Sequence, residues 1–453
     1  MKLLIRGGHV LQMDAAGTVL EDGYVLIEDS RVVEVGHVSD APPASEVNHV
    51  EDASGCVVVP GLINSHQHHW YQLLKGTSVG MYLEDWVQQV LGPATAALGP
   101  QHLVGSISLA AADMLSKGTT TFFNHSVTET DVGTITALAE ASAATGIRHI
   151  FAKEVRATPQ SSTVERHRAD VEHLLQLFPM GADRLFSVAL AVESGEHFMA
   201  QGMMTPELAT YAADLAARHG VPISDHITGG TLSRSVVAFR HRTGLGQVQW
   251  LARQGLLGSN SLLAHSVWID ESEAALAAQS GATIVTCPSS SAFTAGGIPP
   301  VRDWLAAGVN VAIGSDGPMV NDSVDILGLL REAFLLQNVK YLVPGAVSIE
   351  DLWKLATRNG ARGLGFAGEI GEISVGAVAD IAVFDLRKPE FGGALRPAVN
   401  LILSGSGHEA RFVMVNGMVV KDTGGLRTMD VDKVVRQSRD LARDLADRAG
   451  LPL

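Results

Sequence analysis

From Lys2 to Val59 the apolar positions come in brief β-rich runs, Leu3 to Ile5, Val10 to Met13, Gly23 to Ile27, Val32 to Val35 and Val57 to Val59, with turn residues between them. Runs of this length bounded by Gly, Asp and Asn predict strands and hairpins. Beyond Pro60 the period changes, and β-branched runs alternate with alanine-rich stretches of helical spacing. That alternation predicts repeated βα units around a parallel sheet. Eight such runs can be counted, at Val58 to Asn64, Thr119 to Asn124, His149 to Lys153, Leu185 to Ala191, Val221 to Asp225, Ser261 to Ala264, Thr283 to Val285 and Val309 to Gly314. Each precedes a helical pattern, so the fold class is α/β and the expected architecture a (β/α)8 TIM barrel. An open dinucleotide-binding sheet would carry a glycine-rich phosphate loop after its first strand, and Pro60-Gly61-Leu62-Ile63-Asn64-Ser65 is not one.

After a helix expected over Ile349 to Gly363, strand texture returns at Ala379 to Phe384 and Phe412 to Val420, with Asn416-Gly417 as a hairpin signal. The two termini are therefore expected to meet in a small β-sandwich domain, residues 1–59 and 365–453, beside a barrel of residues 60–364. Apolar residues at helical spacing among the charges of Asp430 to Arg448 predict an amphipathic helix in that domain.

Composition narrows the function classes. A chain of 453 residues, 46% hydrophobic and 18% charged, can bury a large core, which excludes global disorder. Its net charge of -15 argues against nucleic acid or an anionic membrane as a main partner and leaves a small-molecule substrate. Cys56 and Cys287 are too few for a disulfide framework. The amino terminus builds no signal-peptide core, and Gly, Pro or charge breaks every apolar stretch before it could span a bilayer. The expected location is cytoplasmic.

Candidate chemistry sits at the ends of the expected barrel strands. In His66-Gln67-His68 the two imidazoles lie two residues apart in a strand, so they point the same way and can meet on one ion, while His69 is out of register. His226 follows Val-Pro-Ile-Ser-Asp, His265 follows Ser-Leu-Leu-Ala, and Asp316 follows Val-Ala-Ile-Gly-Ser, all at carboxyl ends of strands, where barrels of this kind build their sites. Singly, each also fits a hydrogen-bonded structural residue or a turn. Together, the imidazoles and the carboxylate suit zinc or a similar borderline metal.

With these residues in view the sequence resembles the amidohydrolase superfamily, in the branch of triazine hydrolases, guanine and cytosine deaminases and S-adenosylhomocysteine-type deaminases. The resemblance spans essentially the whole chain. It rests on Pro60 to His68, Gly118-Thr119-Thr120-Thr121, Ala264-His265, Cys287-Pro288-Ser289-Ser290-Ser291, Gly314-Ser315-Asp316-Gly317 and the segment from Gly371 to Asp380. It implies that His66, His68, His226 and Asp316 hold one divalent ion, zinc first, with iron or manganese as alternatives. It further implies that Asp316 is the general base and that His265 orients the nucleophile or stabilises developing negative charge. A homo-oligomer is the expected assembly.

The chain departs from the branch at one position. Deaminases of this kind carry a glutamate three residues after the strand-five histidine, where it shuttles a proton, whereas this chain reads His226-Ile227-Thr228-Gly229-Gly230. Thr228 cannot replace it, because a hydroxyl is a poor proton donor near neutral pH. Glu193 is the expected catalytic substitute, followed by Glu154 and His125, each of which also fits a solvated or supporting role. Glu84 and Asp85 read as the start of a helix. Trp70, Tyr71 and Trp86 either stack on a flat substrate or pack the core. The expected function is therefore a metal-dependent hydrolase that deaminates a heterocyclic amine. Alternatives are amide, carbamate, urea or carbon-halogen hydrolysis, and, more remotely, a barrel scaffold without chemistry.

Overall fold

The computed structural model describes residues 1–128, 130–157, 164–393 and 395–451. The amino-terminal alternation folds into β1 (Lys2–Leu11), β2 (Val19–Glu28), β3 (Arg31–His37), β4 (His49–Asp52) and β5 (Cys56–Pro60). The βα repeat supplies the next eight strands: β6 (Leu62–Gln67), β7 (Thr119–His125), β8 (Arg148–Glu154), β9 (Phe186–Val192), β10 (Ile223–Ile227), β11 (Ser261–His265), β12 (Thr283–Thr286) and β13 (Asn310–Ile313). Each is parallel to the next in sequence order, which is the sheet of a (β/α)8 barrel. Apart from His226, every residue of these strands is buried, polar ones included, so the sheet is covered on both faces. Across the seam between β13 and β6, Asn64 and Ser315 exchange two hydrogen bonds of 2.7 and 2.9 Å, and Asp316 N donates to His66 O at 3.0 Å.

The stretch Val58 to Asn64, expected as one strand, is two. Gly61 ends the first, its N–H going to Asp380 O at 2.8 Å, so that β5 joins the terminal sheet and β6 enters the barrel. A Cβ on Gly61 would run into the Thr120 side chain, which is why the crossing point is a glycine. The helix expected over Ile349 to Gly363 also breaks, into Ile349–Leu355 and Arg358–Gly363. Between them Thr357 leaves helical geometry at φ -135° and ψ -105°, and its hydroxyl donates to Trp353 O at 2.6 Å.

The chain returns through β14 (Ile381–Asp385), β15 (Phe412–Val415), β16 (Met418–Asp422) and β17 (Gly425–Leu426). With β1 to β5 these make one nine-stranded mixed sheet, in which β5 and β14 are the antiparallel neighbours that unite the two ends of the chain. Leu3, Val25, Ile27, Ile381, Phe412 and Met414 share one apolar cluster there. Asn416 and Gly417 take the turn between β15 and β16 at φ +49° and +73°, as the hairpin signal requires. The buried Arg148 of β8 pairs with Asp380 just before β14, tying barrel to terminal sheet.

The carboxy-terminal helix runs Val431–Ala449, capped by Asp430, which accepts from Lys433 N at 3.0 Å. Its Leu445 and Ala446 pack with Trp70, Tyr71, Trp86 and Leu103, so it braces the segment that follows β6. Among the described residues no helix is long and apolar enough to cross a membrane.

Candidate metal centre

His66 lies within β6, His68 just past it, His226 within β10, His265 at the end of β11 and Asp316 three residues beyond β13. Parallel strands of a barrel aim their carboxyl ends at one face, so these side chains converge above its axis. His226 Nε2 lies 3.3 Å from His68 Nε2, and Asp316 Oδ1 lies 3.3 Å from His68 Nε2 and 3.6 Å from His66 Nε2. The donor atoms of His66, His125 and His226 are within 4.8 Å of one another, as are those of His66, His265 and Asp316. The structure thus brings together every residue expected at the metal and adds His125 to their edge. His69, out of register as expected, turns away to Asn124 and Leu103.

Hydrogen bonds on the far side of two rings decide which nitrogen faces the cluster. His68 Nδ1 donates to His125 O at 2.6 Å and His226 Nδ1 donates to Glu193 Oε1 at 2.8 Å, so it is the two Nε2 atoms that turn toward each other. Both ring nitrogens of the fully buried His66 lack any hydrogen-bond partner. An orphaned buried imidazole is unfavourable without a partner, and a cation would supply one. Ligand atoms about 2.1 Å from a tetrahedral ion lie about 3.4 Å from one another, close to the spacing from His68 to His226 and from His68 to Asp316. The donor set therefore fits a zinc-like ion.

Charge is distributed to match. Burial alone would raise the Asp316 carboxyl, but the imidazoles of His66, His68 and His265 packed around it outweigh burial and hold the group well below the usual carboxylate range. Burial pushes His66 well below the ordinary imidazole value, His125 down to about 3 and His265 down to about 4, so these rings are neutral. His226 moves the other way, up to about 9, because the adjacent Glu193 carboxylate overcomes burial. Glu193 is held low in return by His226 and by His125, whose Nε2 donates to the same Oε1 at 3.0 Å.

Four non-glycine residues around the site have positive φ: Thr228 (+44°), His265 (+67°), Ser266 (+55°) and Asp316 (+57°). Left-handed backbone at His265 and Asp316 costs on the order of 1 kcal/mol or more each and is retained where a side chain must be aimed.

His68, His226, His265, Asp316 and Glu193 open onto a cavity of about 180 Å3. Of the aromatic candidates, Tyr71 and Trp86 line it, Tyr71 stacking on His68 with ring centres 4.6 Å apart, while Trp70 is packed into the core behind them. Val87, Leu91, Val127 and Phe198 border both this cavity and a neighbouring cleft of about 660 Å3. Glu154, at the end of β8, pairs with Arg156 at 3.0 Å. Asp85 pairs with Arg234 near the surface.

Two features escaped the sequence. Behind His226, Gln247 Nε2 donates to His226 O at 2.7 Å and to Ser194 Oγ at 2.9 Å, and Ser194 bonds Asp225, whose carboxyl burial pushes up to about 7. No local pattern marks residues this far apart as one network. The other is Glu84, which reads as an ordinary helix-start acid yet lines the cavity.

The amidohydrolase family matches residues 57–420. A 5-methylthioadenosine/S-adenosylhomocysteine deaminase of Syntrophobacter fumaroxidans is 33% identical over 98% of this chain and 98% of its own. An adenosine deaminase of Xanthomonas campestris, solved with bound zinc, superposes with a TM-score of 0.89 at 26% identity, covering 98% of both chains. An atrazine chlorohydrolase of Arthrobacter aurescens complexed with zinc superposes with a TM-score of 0.88 at 25% identity, over 97% of this chain and 100% of that one.

Proposed function

The chain belongs to the amidohydrolase family and is a hydrolase, and from that premise we propose that it deaminates a nitrogen heterocycle, exchanging an exocyclic amino group for oxygen. The observation that carries the reading is the cluster of His68, His226 and Asp316, backed by the buried His66, in a cavity walled by Tyr71 and Trp86. Relatives named as deaminases of adenosine derivatives support the substrate class.

His66, His68, His226 and Asp316 would hold the ion, which when bound supplies Lewis-acid polarisation and acidifies water. Asp316 Oδ1 already accepts from Gly317 N at 2.8 Å and faces His66 and His68, which leaves Oδ2 to take a proton from the attacking water. Asp316 Oδ2 lies 3.9 Å from His265 Nε2, so the His265 ring stands beside that water and can hydrogen-bond the oxygen as charge develops. The flat faces of Tyr71 and Trp86 suit an aromatic ring, and the adjoining cleft gives room for a substituent on it.

Glu193 enters this proposal as a positioning residue. An acid expected to donate a proton must carry one, and two imidazoles hold this carboxylate ionised. Its bond to His226 Nδ1 instead sets the ring orientation and the tautomer. Glu193→Gln is expected to weaken metal affinity or activity about 10- to 100-fold while leaving the shape of the kcat/KM pH profile unchanged. Disappearance of a falling alkaline limb in that variant would assign Glu193 the proton-donor role.

A second reading has one observation in its favour. With Gly229 in place of a carboxylic acid, a leaving group that departs as a stable anion, such as halide, needs no proton. The test is a panel of aminated and chlorinated purines, pyrimidines and triazines, followed by ammonia and chloride release. Ammonia release at catalytic rates supports the deaminase. Turnover confined to the chlorinated compounds opposes it. A cytoplasmic homo-oligomer acting on a small molecule completes the proposal, in which the net charge of -15 supports the exclusion of nucleic acid and anionic membrane as partners.

A further inference from the structure

Gly229 and Gly230 are not simply empty positions. A Cβ on Gly229 would lie 2.9 Å from His265 Cδ2, and a Cβ on Gly230 would lie 2.5 Å from Glu84 Oε1. The space that side chains would fill here is taken by the His265 ring and by a carboxylate arriving from another element, the short helix Leu83–Trp86 that follows β6.

That carboxylate is anchored at one oxygen only. Glu84 Oε1 accepts from Thr231 N at 2.8 Å, from Thr231 Oγ1 at 2.8 Å and from Ser235 Oγ at 3.3 Å. Glu84 Oε2 is buried and has no partner. The residue lines the same cavity as Asp316, His226 and His265, and about 180 Å3 admits little more than one small ring, so a ring held there would meet all of its walls. Among the cavity carboxylates, Asp316 faces the metal cluster, Glu196 pairs with Arg242, and Glu193 is held through Oε1 by His226 and His125 on the far side of the His226 ring, with its own Oε2 unpartnered. Of these, Glu84 is the one that combines an anchored position beside Gly230, the neighbour of Gly229, with an oxygen that has no protein partner.

We propose that Glu84 is the proton shuttle of the reaction, supplying from the segment after β6 the carboxylate that position 229 lacks; this rests on the aminohydrolase reading. As the water oxygen bonds to the ring carbon, Asp316 takes one proton and returns it to the ring nitrogen that receives the displaced π electrons. The Glu84 carboxylate then takes the proton of the new hydroxyl and passes it to the exocyclic nitrogen. The C–N bond breaks with its electron pair on that nitrogen, a C=O bond forms, and ammonia departs neutral. Glu84 ends as it began, and the sum is amine plus water giving carbonyl compound plus ammonia.

The experiment uses one heterocycle bearing either an amino or a chloro leaving group, because chloride departs without a proton. Glu84→Gln should lose about 10²- to 10⁴-fold in kcat on the amino compound and no more than a few-fold on the chloro compound. Glu84→Asp should recover part of the ammonia release. Thr231→Val, which loosens the anchor and keeps the carboxylate, should cost far less than Glu84→Gln on the amino compound. Equal losses on both leaving groups in Glu84→Gln would make Glu84 a tie between segments and overturn this inference alone. Wild-type turnover of the chloro compound without ammonia release from the amino compound would overturn the deaminase reading and this inference with it.

Discussion

Asp316→Asn should fold and melt as the parent does and lose about 10²- to 10⁴-fold in kcat at saturating metal. The amide matches the carboxylate in size, so the left-handed backbone at φ +57° and the bond from Gly317 N to Oδ1 both persist. What disappears is a charged oxygen able to accept a proton next to His265. His66 and His68 hold the native carboxyl well below its usual range, so the base is ionised throughout the neutral region and its loss cannot be recovered by raising pH. Steady-state kinetics with added zinc decides the matter. Turnover within ten-fold of wild type would place the base elsewhere.

Removing the ion should have the other large effect. Without it His66 keeps two buried nitrogens with no partner. An ion present at about a thousand times its dissociation constant stabilises the fold by about 4 kcal/mol, so prolonged chelation should lower the melting midpoint by several degrees. Hydrolysis should stop, and zinc should restore both midpoint and rate. Full activity in a chelated protein shown to be free of metal would contradict the proposed centre.

The barrel was legible because its strands are short β-rich runs buried on both faces, each trailing a helix of a different period. The breaks at Gly61 and Thr357 were not. One depends on Thr120, which is brought close only by the neighbouring strand β7, and the other on a backbone conformation that apolar periodicity does not encode. The imidazoles and Asp316 stood out because strand ends of a barrel share one face, so linear position implies spatial proximity. Loop residues carry no such guarantee. Glu84 looks like any helix-start acid until the Gly230 segment closes against it, and Glu193 looks like a free acid until the partly buried His226 and the buried His125 turn toward it. Gly229 shows in the sequence only as a missing carboxylate, and the His265 ring that fills its space appears only in three dimensions.

The most direct test of the metal centre is elemental analysis of purified wild type beside His226→Ala, after both are loaded with zinc and freed of excess. His226 contributes one of the facing Nε2 atoms, and its removal breaks the ligand set without touching β6 or Asp316. About one zinc per chain is expected in the wild type, and a small fraction of that, with activity lost in proportion, in the variant. Equal zinc in the two proteins would remove His226 from the site.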